Sequence, residues 1–310
     1  MLNLDRLRAL RAIAAYGSVS AAAEILHVTT SAVSQQIRKL EQETGHQMVT
    51  RSGRGVELTP AARLLANRAE RILGLADEAE AELQARNDSA VGQLTLGAFP
   101  TAARGIVPGA LRLLADRAPQ LHLHIREMDF DSPMSQVERG DLDVGIVQDW
   151  DHVPITWTDT LHRSLLMTDA ARVALPADHR LADRDVVSIG ELVDEPWVSR
   201  VRRSTCHEWL LHTMREQGAE PRIVHSVTEH PTQLALVSAG VALAMVPTLG
   251  MGPLPPGVRT VTLERRMTRR IYAIWRPESS RRPSVRVTVR ALAEAARAAS
   301  GTAGGNLNPL

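Results

Sequence analysis

Five side chains between Thr30 and Arg38 could do hydrogen-bonding chemistry on the edge of a base pair: Thr30, Ser31, Ser34, Gln35 and Arg38. A glutamine amide complements adenine, a guanidinium complements guanine, and short hydroxyls reach bases or phosphates. This chemistry is recognition, and it works only if one rigid element holds the groups on one exposed face. The surrounding residues supply such an element. Val33, Ile37 and Leu40 recur at helical spacing and form an inward stripe, which leaves the five polar groups mostly outward. Upstream, Ala21, Ala22 and Ala23 make a compact helix that another helix can approach closely, with Ser18 or Ser20 as its cap. His27-Val28-Thr29 breaks the pattern, and Thr29 or Thr30 caps the next helix. Two helices at a tight turn place the second in a DNA major groove.

An ordinary amphipathic helix pair would show part of this pattern, and three further features separate the two readings. Residues 1–63 hold eight basic and five acidic side chains, a net +3 in a chain whose formal charge is +1. Arg51-Ser52-Gly53-Arg54-Gly55, followed by Val56-Glu57-Leu58, reads as a basic hairpin, so Arg51 and Arg54 can reach phosphates or the minor groove. Thr59-Pro60 then starts a helix running to about Arg86, capped by Thr59 with proline in its first turn. Its apolar positions Leu65, Ala69, Ile72, Ala76, Ala79 and Leu83 alternate in steps of four and three, the spacing of a coiled-coil seam for a second copy. Asn87 to Gly92 reads as a hinge.

The segment resembles the LysR-type transcriptional regulators. The resemblance rests on Leu7 to Glu41, with Gly17-Ser18, Ala22-Ala23, Ala32-Val33-Ser34 and Ile37 to Glu41, and on Gly45, Arg51, Leu58 and Thr59. Met48-Val49-Thr50-Arg51 stands where the family often has Leu-Phe-x-Arg, Leu10 where it has Phe, and Ala62 where it has Gly; each swap keeps apolar or small character. The resemblance implies DNA contacts at Thr30, Ser31, Ser34, Gln35, Arg38 and wing Arg51 or Arg54.

The length of 310 residues suggests about two domains, with enough apolar residues for real cores. No run of 18 apolar residues occurs, and Asp5, Arg6, Arg8 and Arg11 interrupt any apolar leader, so neither a membrane span nor a signal peptide is expected. Cys206 is the single cysteine, which excludes an internal disulfide or a thiolate metal cluster and fits a cytoplasmic setting.

From Gln93 the pattern becomes strands alternating with helices, which implies a parallel, doubly wound sheet. Glu138 to Ile146 and Val237 to Met245 repeat one theme: a helix end, a glycine turn, a buried strand. Two α/β lobes with a cleft between them form a clamp for small molecules. The order of elements, with Gly140-Asp141-Leu142-Asp143, Pro176 to Leu181 and Ala239-Gly240 through Pro247, resembles the effector domain of the same family, itself similar to periplasmic binding proteins. The expected architecture is α/β. An all-α winged helix-turn-helix occupies residues 1–58, and a linker and dimerisation helix with hinge occupies 59–90. The effector domain spans 91–300, with lobe I at about 91–162 and 268–300 and lobe II at about 168–265. A flexible tail covers 301–310. The chain is expected to cross between lobes near 162–168 and 264–270.

In such a clamp, strand-end loops and helix N-termini face the cleft, and free N–H groups there suit an anion. Thr101, Ser199, Thr205 and His230 are the leading effector-binding candidates; Arg200, with Arg202 and Arg203, could neutralise a carboxylate. Helix capping is an equal account of Thr101 and Thr205, and Glu229 would repel an acidic ligand unless it points away. The sequence shows no Gly-x-Ser-x-Gly elbow, phosphate loop or dinucleotide fingerprint, so no enzyme, cofactor or metal is expected. The expected function is a transcriptional regulator on double-stranded promoter DNA, governed by a small effector such as an organic acid. It is expected to act as a homodimer or homotetramer that communicates with RNA polymerase. The alternatives are a regulator of this architecture answering a redox or protein-partner signal, or an enzyme carrying a DNA-binding domain.

Overall fold

The computed structural model describes residues 2–26, 28–52, 55–86, 89–128, 133–151, 154–201 and 204–304. The chain divides into two compact units, Met1–Asp88 with the turn Arg139–Asp141, and Ser89–Glu138 with Leu142–Leu310.

In the first unit, helices α1 (Leu4–Tyr16), α2 (Val19–Ile25) and α3 (Thr30–Thr44) precede an antiparallel hairpin, β1 (Val49–Ser52) and β2 (Gly55–Leu58), and the long α4 (Pro60–Arg86). Each start has a local cause. Ser18 accepts from the Ala21 N–H at 3.0 Å, Thr29 from Ala32 N–H at 3.1 Å, and Thr59 from Ala62 N–H at 3.1 Å. The core joins Leu7, Leu10 and Ile13 of α1 to Ala22 and Ala23 of α2 and to Val33, Ile37 and Leu40 of α3. Ala62, Ala66, Ala69 and Leu73 of α4 close it against α1. Ala69 therefore packs inside its own unit instead of lying on an intermolecular seam: its side of α4 is needed to cover α1. Leu64, Leu75 and Leu83 of α4 stay exposed, each 67% accessible.

The second unit runs β3 (Gly92–Ala98), α5 (Pro100–Gly105), α6 (Val107–Arg117), β4 (Leu121–Glu127), α7 (Pro133–Glu138), β5 (Val144–Trp150), β6 (His162–Pro176), β7 (Val186–Val187), β8 (Pro196–Arg200), α8 (Thr205–Glu216), β9 (Arg222–Val227), α9 (His230–Ser238), β10 (Leu243–Pro247), β11 (Val258–Leu263), β12 (Met267–Trp275) and α10 (Pro283–Gly304). The main sheet path is β4-β3-β5-β12-β6-β10-β8-β9. Its flanks are parallel, β3 with β4 and β5 on one side, β8 with β9 and β10 on the other. Its centre is antiparallel, β12 against β5 and β6, and β10 and β11 against β6. A wholly parallel sheet is thus not what forms. The chain leaves the first lobe along β6 and returns along the adjacent β12, and neighbouring strands that carry a chain out and back must run in opposite directions.

Each lobe has its own core. Leu94, Leu96, Ile146 and Leu292 lie in one, Val173, Trp197, Trp209 and Met245 in the other. The two long strands change allegiance part-way. Leu166 and Met167 of β6 belong to the first core and Ala171 and Val173 to the second, while Met267 of β12 belongs to the second and Ile271 to the first. Residues 168–170 and 268–270 are consequently the crossover, and Asp169 and Arg269 face each other there in register.

Candidate functional site

The first candidate surface is one face of α3. Thr30, Ser31, Gln35 and Arg38 are exposed, joined by Lys39 and Gln42, while Val33, Ile37 and Leu40 are buried on the opposite side. Ser31, Gln35, Arg38, Lys39 and Gln42 line a concavity of about 580 Å³ together with Thr29 and Ala32. The hydroxyls are partly committed. Ser34, half-buried, donates to the Thr30 carbonyl at 2.8 Å, and the Ser31 and Thr29 hydroxyls pair at 2.8 Å. Gln35 keeps both donor and acceptor, and Arg38 spends only Nε, on the Ser34 carbonyl at 3.4 Å. Glu41, the acid nearest this face, accepts from the Met48 and Val49 N–H groups at 2.8 and 3.3 Å. It therefore holds the entry to the hairpin, and part of its charge is neutralised by two backbone dipoles. Arg51 lies on β1; Arg54 falls outside the described residues. The sequence reading overlooked Lys39 and Gln42 as surface groups, though Lys39 follows Arg38 directly and Gln42 stands one helical turn from it.

The second candidate is buried, at the crossover of the second unit. Arg269 on β12 is 1% exposed. Its Nε and Nη2 donate to Asp169 Oδ2 at 2.8 and 2.6 Å, its Nη1 donates to Gln148 Oε1, and its Nη2 also reaches Thr101 Oγ1 at 3.0 Å. The guanidinium carbon sits 5.3 Å from the ring centres of both Phe99 and Trp150. The other oxygen of Asp169 accepts from the Leu249 N–H at 3.0 Å. One ion pair therefore ties together β12, β6, β5, the start of α5 and the loop after β10. That loop also closes on α5 from outside. Arg104 Nε donates to the Gly250 carbonyl at 3.2 Å, and a Cβ on Gly250 would stand 2.4 Å from the Thr101 carbonyl oxygen.

His230 opens α9 and is 5% exposed. Burial pulls its pKa down to about 3; the Arg200 guanidinium adds to this, Gln233 opposes it, and Arg269 and Arg104 add smaller pushes downward. The ring is therefore neutral across the physiological range. Its tautomer follows from its neighbour. Gln233 Nε2 donates to the Val198 carbonyl at 3.1 Å, which leaves Gln233 Oε1 as the acceptor facing His230 Nδ1 at 2.7 Å. Nδ1 must carry the proton, and Nε2 holds a lone pair.

Of the expected effector contacts, Thr101, Ser199, Arg200 and His230 are all buried. Thr101 touches Arg269, Arg200 lies close enough to bias His230, and Ser199 pairs with His207 Nδ1 at 3.0 Å. Thr205 begins α8, whose cap is Ser204, accepting from the His207 N–H at 3.2 Å. Arg202, Arg203 and the loop 129–132 fall outside the described residues. Glu229 is exposed and makes no side-chain cap for α9. Sequence reasoning missed Gln148, Asp169, Gln233 and Arg269. A signal existed for two of them: Asp169 stands between inward Met167 and Ala171, and Arg269 between inward Met267 and Ile271, so each puts a charge on the buried phase of an alternating strand.

No described helix is long and apolar enough to cross a membrane, and no described group of three or more histidines, cysteines and acids could hold a metal ion.

Comparison with known proteins gives two matches to family models. Residues 4–63 match the bacterial regulatory helix-turn-helix protein model of the lysR family, and residues 87–297 match the LysR substrate binding domain. The chain is 27% identical over 249 residues to the HTH-type transcriptional regulator AlsR of Bacillus subtilis, covering 80% of this chain and 81% of that one. Among solved structures, an OxyR mutant of Corynebacterium glutamicum, bound to hydrogen peroxide, is 26% identical with a TM-score of 0.62, covering 99% of this chain and 98% of that one. The LysR-family regulator CbnR, 24% identical with a TM-score of 0.54 and covering 94% of this chain and all (100%) of that one, shares the fold.

Proposed function

The chain belongs to the LysR family of bacterial transcriptional regulators, and on that footing we propose how its two units divide the work. It is a DNA-binding regulator with an effector-binding domain. Thr30, Ser31, Ser34, Gln35 and Arg38 of α3 read the major groove, and Arg51 and Arg54 of the hairpin reach the backbone or the minor groove. The observation that carries this reading is the exposed polar face of α3 set opposite its buried stripe. Two copies read paired half-sites, and the exposed leucines of α4 contribute to joining them. A small effector settles between the lobes against Thr101, Ser199, Arg200, Thr205 and His230. It acts through unequal affinity for two lobe arrangements, and the change in spacing of the DNA-binding units alters access for RNA polymerase. The residues carry recognition and no catalytic duty.

Selection of fragments from the source genome, followed by sequencing, tests the first half. Wild type enriches a small set of intergenic fragments, and enrichment indistinguishable from random DNA contradicts the reading. Thr101→Val tests the second half: DNA affinity holds while the response to effector falls, and an unchanged response removes Thr101 from the site.

A second reading is oxidant sensing. Cys206 sits in the first turn of α8, a position that favours a reactive thiol, and the similar OxyR protein was solved with hydrogen peroxide bound. Mass spectrometry of the chain after peroxide treatment, with Cys206→Ser as control, decides it: unchanged mass and unchanged DNA binding end this reading.

A further inference from the structure

The chain crosses between the two lobes along β6 and β12, and one side chain makes a third tie. β5 is a strand of the first lobe, with Val144 and Ile146 in that lobe's core, yet its last residue, Trp150, lies in the core of the second. Among the described apolar residues of β5 it is the one that does so. The indole is 1% exposed, and its ring centre stands 5.3 Å from that of Trp209 on α8, at an interplanar angle of 36°. Its second neighbour is the crossover itself. Trp150 is the register partner of Arg269, whose guanidinium carbon is 5.3 Å from the Trp150 ring centre and 5.3 Å from that of Phe99, which belongs to the first core. Arg269 is therefore held between one aromatic ring from each core. A turn of one lobe against the other must either carry the indole along or draw it out of the second core.

The grip on this indole is of one kind only. Trp197, in the same core, donates its N–H to the Leu192 carbonyl at 3.3 Å and is fixed by that bond as well as by packing. The indole N–H groups of Trp150 and Trp209 are buried without a hydrogen-bond partner. A buried donor left unmade opposes the gain from burying the ring around it. Withdrawal of Trp150 breaks no hydrogen bond of the indole, and it gives the N–H to water, which offsets part of the apolar burial lost. The seated and withdrawn positions are thereby closer in free energy than they would be for a bonded indole. Two arrangements close in free energy are what a ligand can bias.

We propose that Trp150 is a positioning residue for the effector response: seated in the second core it holds the lobes in the present arrangement, and its withdrawal releases the other. The proposal rests on the reading that an effector acts through two lobe arrangements, and it gives Trp150 no contact with the effector.

The test is a pulsed spin-label distance measurement on the full-length chain. Labels are placed on Arg290→Cys of α10 in the first lobe and Arg259→Cys of β11 in the second, both exposed positions, in a Cys206→Ser background. Excess unlabelled chain ensures that distances within one chain are read. With Trp150 present, one distance should dominate. Trp150→Ala should bring in a second distance and shift the ratio of the two by roughly ten-fold or more. Trp150→Phe keeps a ring against Arg269 and removes the unmade N–H, so it should restore the wild-type profile. Trp197→Phe takes a bonded indole from the same core and should lower stability without changing the distances. An unchanged profile in Trp150→Ala overturns the proposal, as does an equal change in Trp197→Phe, which would mark general softening of the core. Where the alanine variant does not fold, Trp150→Leu takes its place with the same expectation. No effector enters this measurement, so a mistaken effector site leaves it intact. Binding of the chain's own intergenic fragment is measured on the same variants. A shifted distance ratio with unchanged DNA affinity supports the role of Trp150 and strikes instead the coupling between lobes and DNA binding.

Discussion

The exposed polar face of α3 and the crossover cluster around Arg269 are built on opposite principles. The first is one continuous stretch of sequence whose functional groups face water, held by a stripe of apolar residues behind it. The second is assembled from α5, β5, β6, β12 and the loop after β10, and its polar groups are held by one another inside the protein. An exposed face can lose a side chain and keep its fold. A buried polar cluster cannot lose a member without leaving another stranded. The two regions should therefore respond differently to the same kind of mutation.

The sharpest contrast comes from breaking the ion pair. Asp169→Ala leaves Arg269 buried and uncompensated, and should cost the second unit about 3–5 kcal/mol. Replacing both partners, Asp169→Leu with Arg269→Met, should recover most of that loss. Urea unfolding followed by tryptophan fluorescence reports this unit, because all five tryptophans lie between Trp150 and Trp275. A single mutant as stable as wild type would show that the pair is not the keystone described.

Gly250→Ala comes next. The residue sits at φ +68°, and a Cβ would press on the Thr101 carbonyl. Strain and overlap together should cost roughly 3 kcal/mol, and effector response should fall with α5 displaced. Full stability and full response in this variant would mean that the loop and α5 are not coupled.

The acid response follows from His230. Below pH 6.5 the unfolded imidazole binds a proton that the folded one refuses until about pH 3. Stability is therefore complete above pH 6.5 and is lost as the pH falls toward 3; at pH 5 the loss is about 2 kcal/mol. His230→Gln should flatten the slope over this window. An unaltered slope would assign the acid sensitivity to other groups.

The smallest effect belongs to the surface region. Thr29→Ala removes the cap of α3 and should cost about 1 kcal/mol, with a modest loss of DNA affinity through fraying of the first turn. A loss as large as that of Asp169→Ala would erase the distinction between the two regions.

The same contrast explains what could be read in advance. The face of α3 was legible because its apolar and polar residues follow one helical period within fifteen positions. Thr59 was recognisable as a cap by residue type alone, whereas Ser18 against Ser20 and Thr29 against Thr30 were separated only by the structure, in favour of Ser18 and Thr29. Thr101, Ser199, Arg200 and His230 were reached through the order of the elements and are buried where they fall, but the groups that organise them were not. Arg269 and Asp169 lie 100 positions apart and meet only because β6 and β12 are neighbours, a pairing no local pattern encodes. The antiparallel centre of the sheet escaped for the same reason. Alternation of strands and helices reports local chain direction, whereas the out-and-back path between lobes is a long-range choice. Ala69 shows the limit on α4: heptad spacing marks an apolar face without saying whether its partner is α1 or a second copy.

The central claim, that the exposed face of α3 selects DNA sequence while the second unit senses, is tested most directly by fluorescence anisotropy at fixed salt on the chain's own upstream intergenic DNA and on a shuffled duplex. Wild type should favour the native fragment. Arg38→Ala and Gln35→Ala should each lose roughly 1–3 kcal/mol of that preference with oligomeric state and effector binding intact. A preference that survives both substitutions would contradict the account.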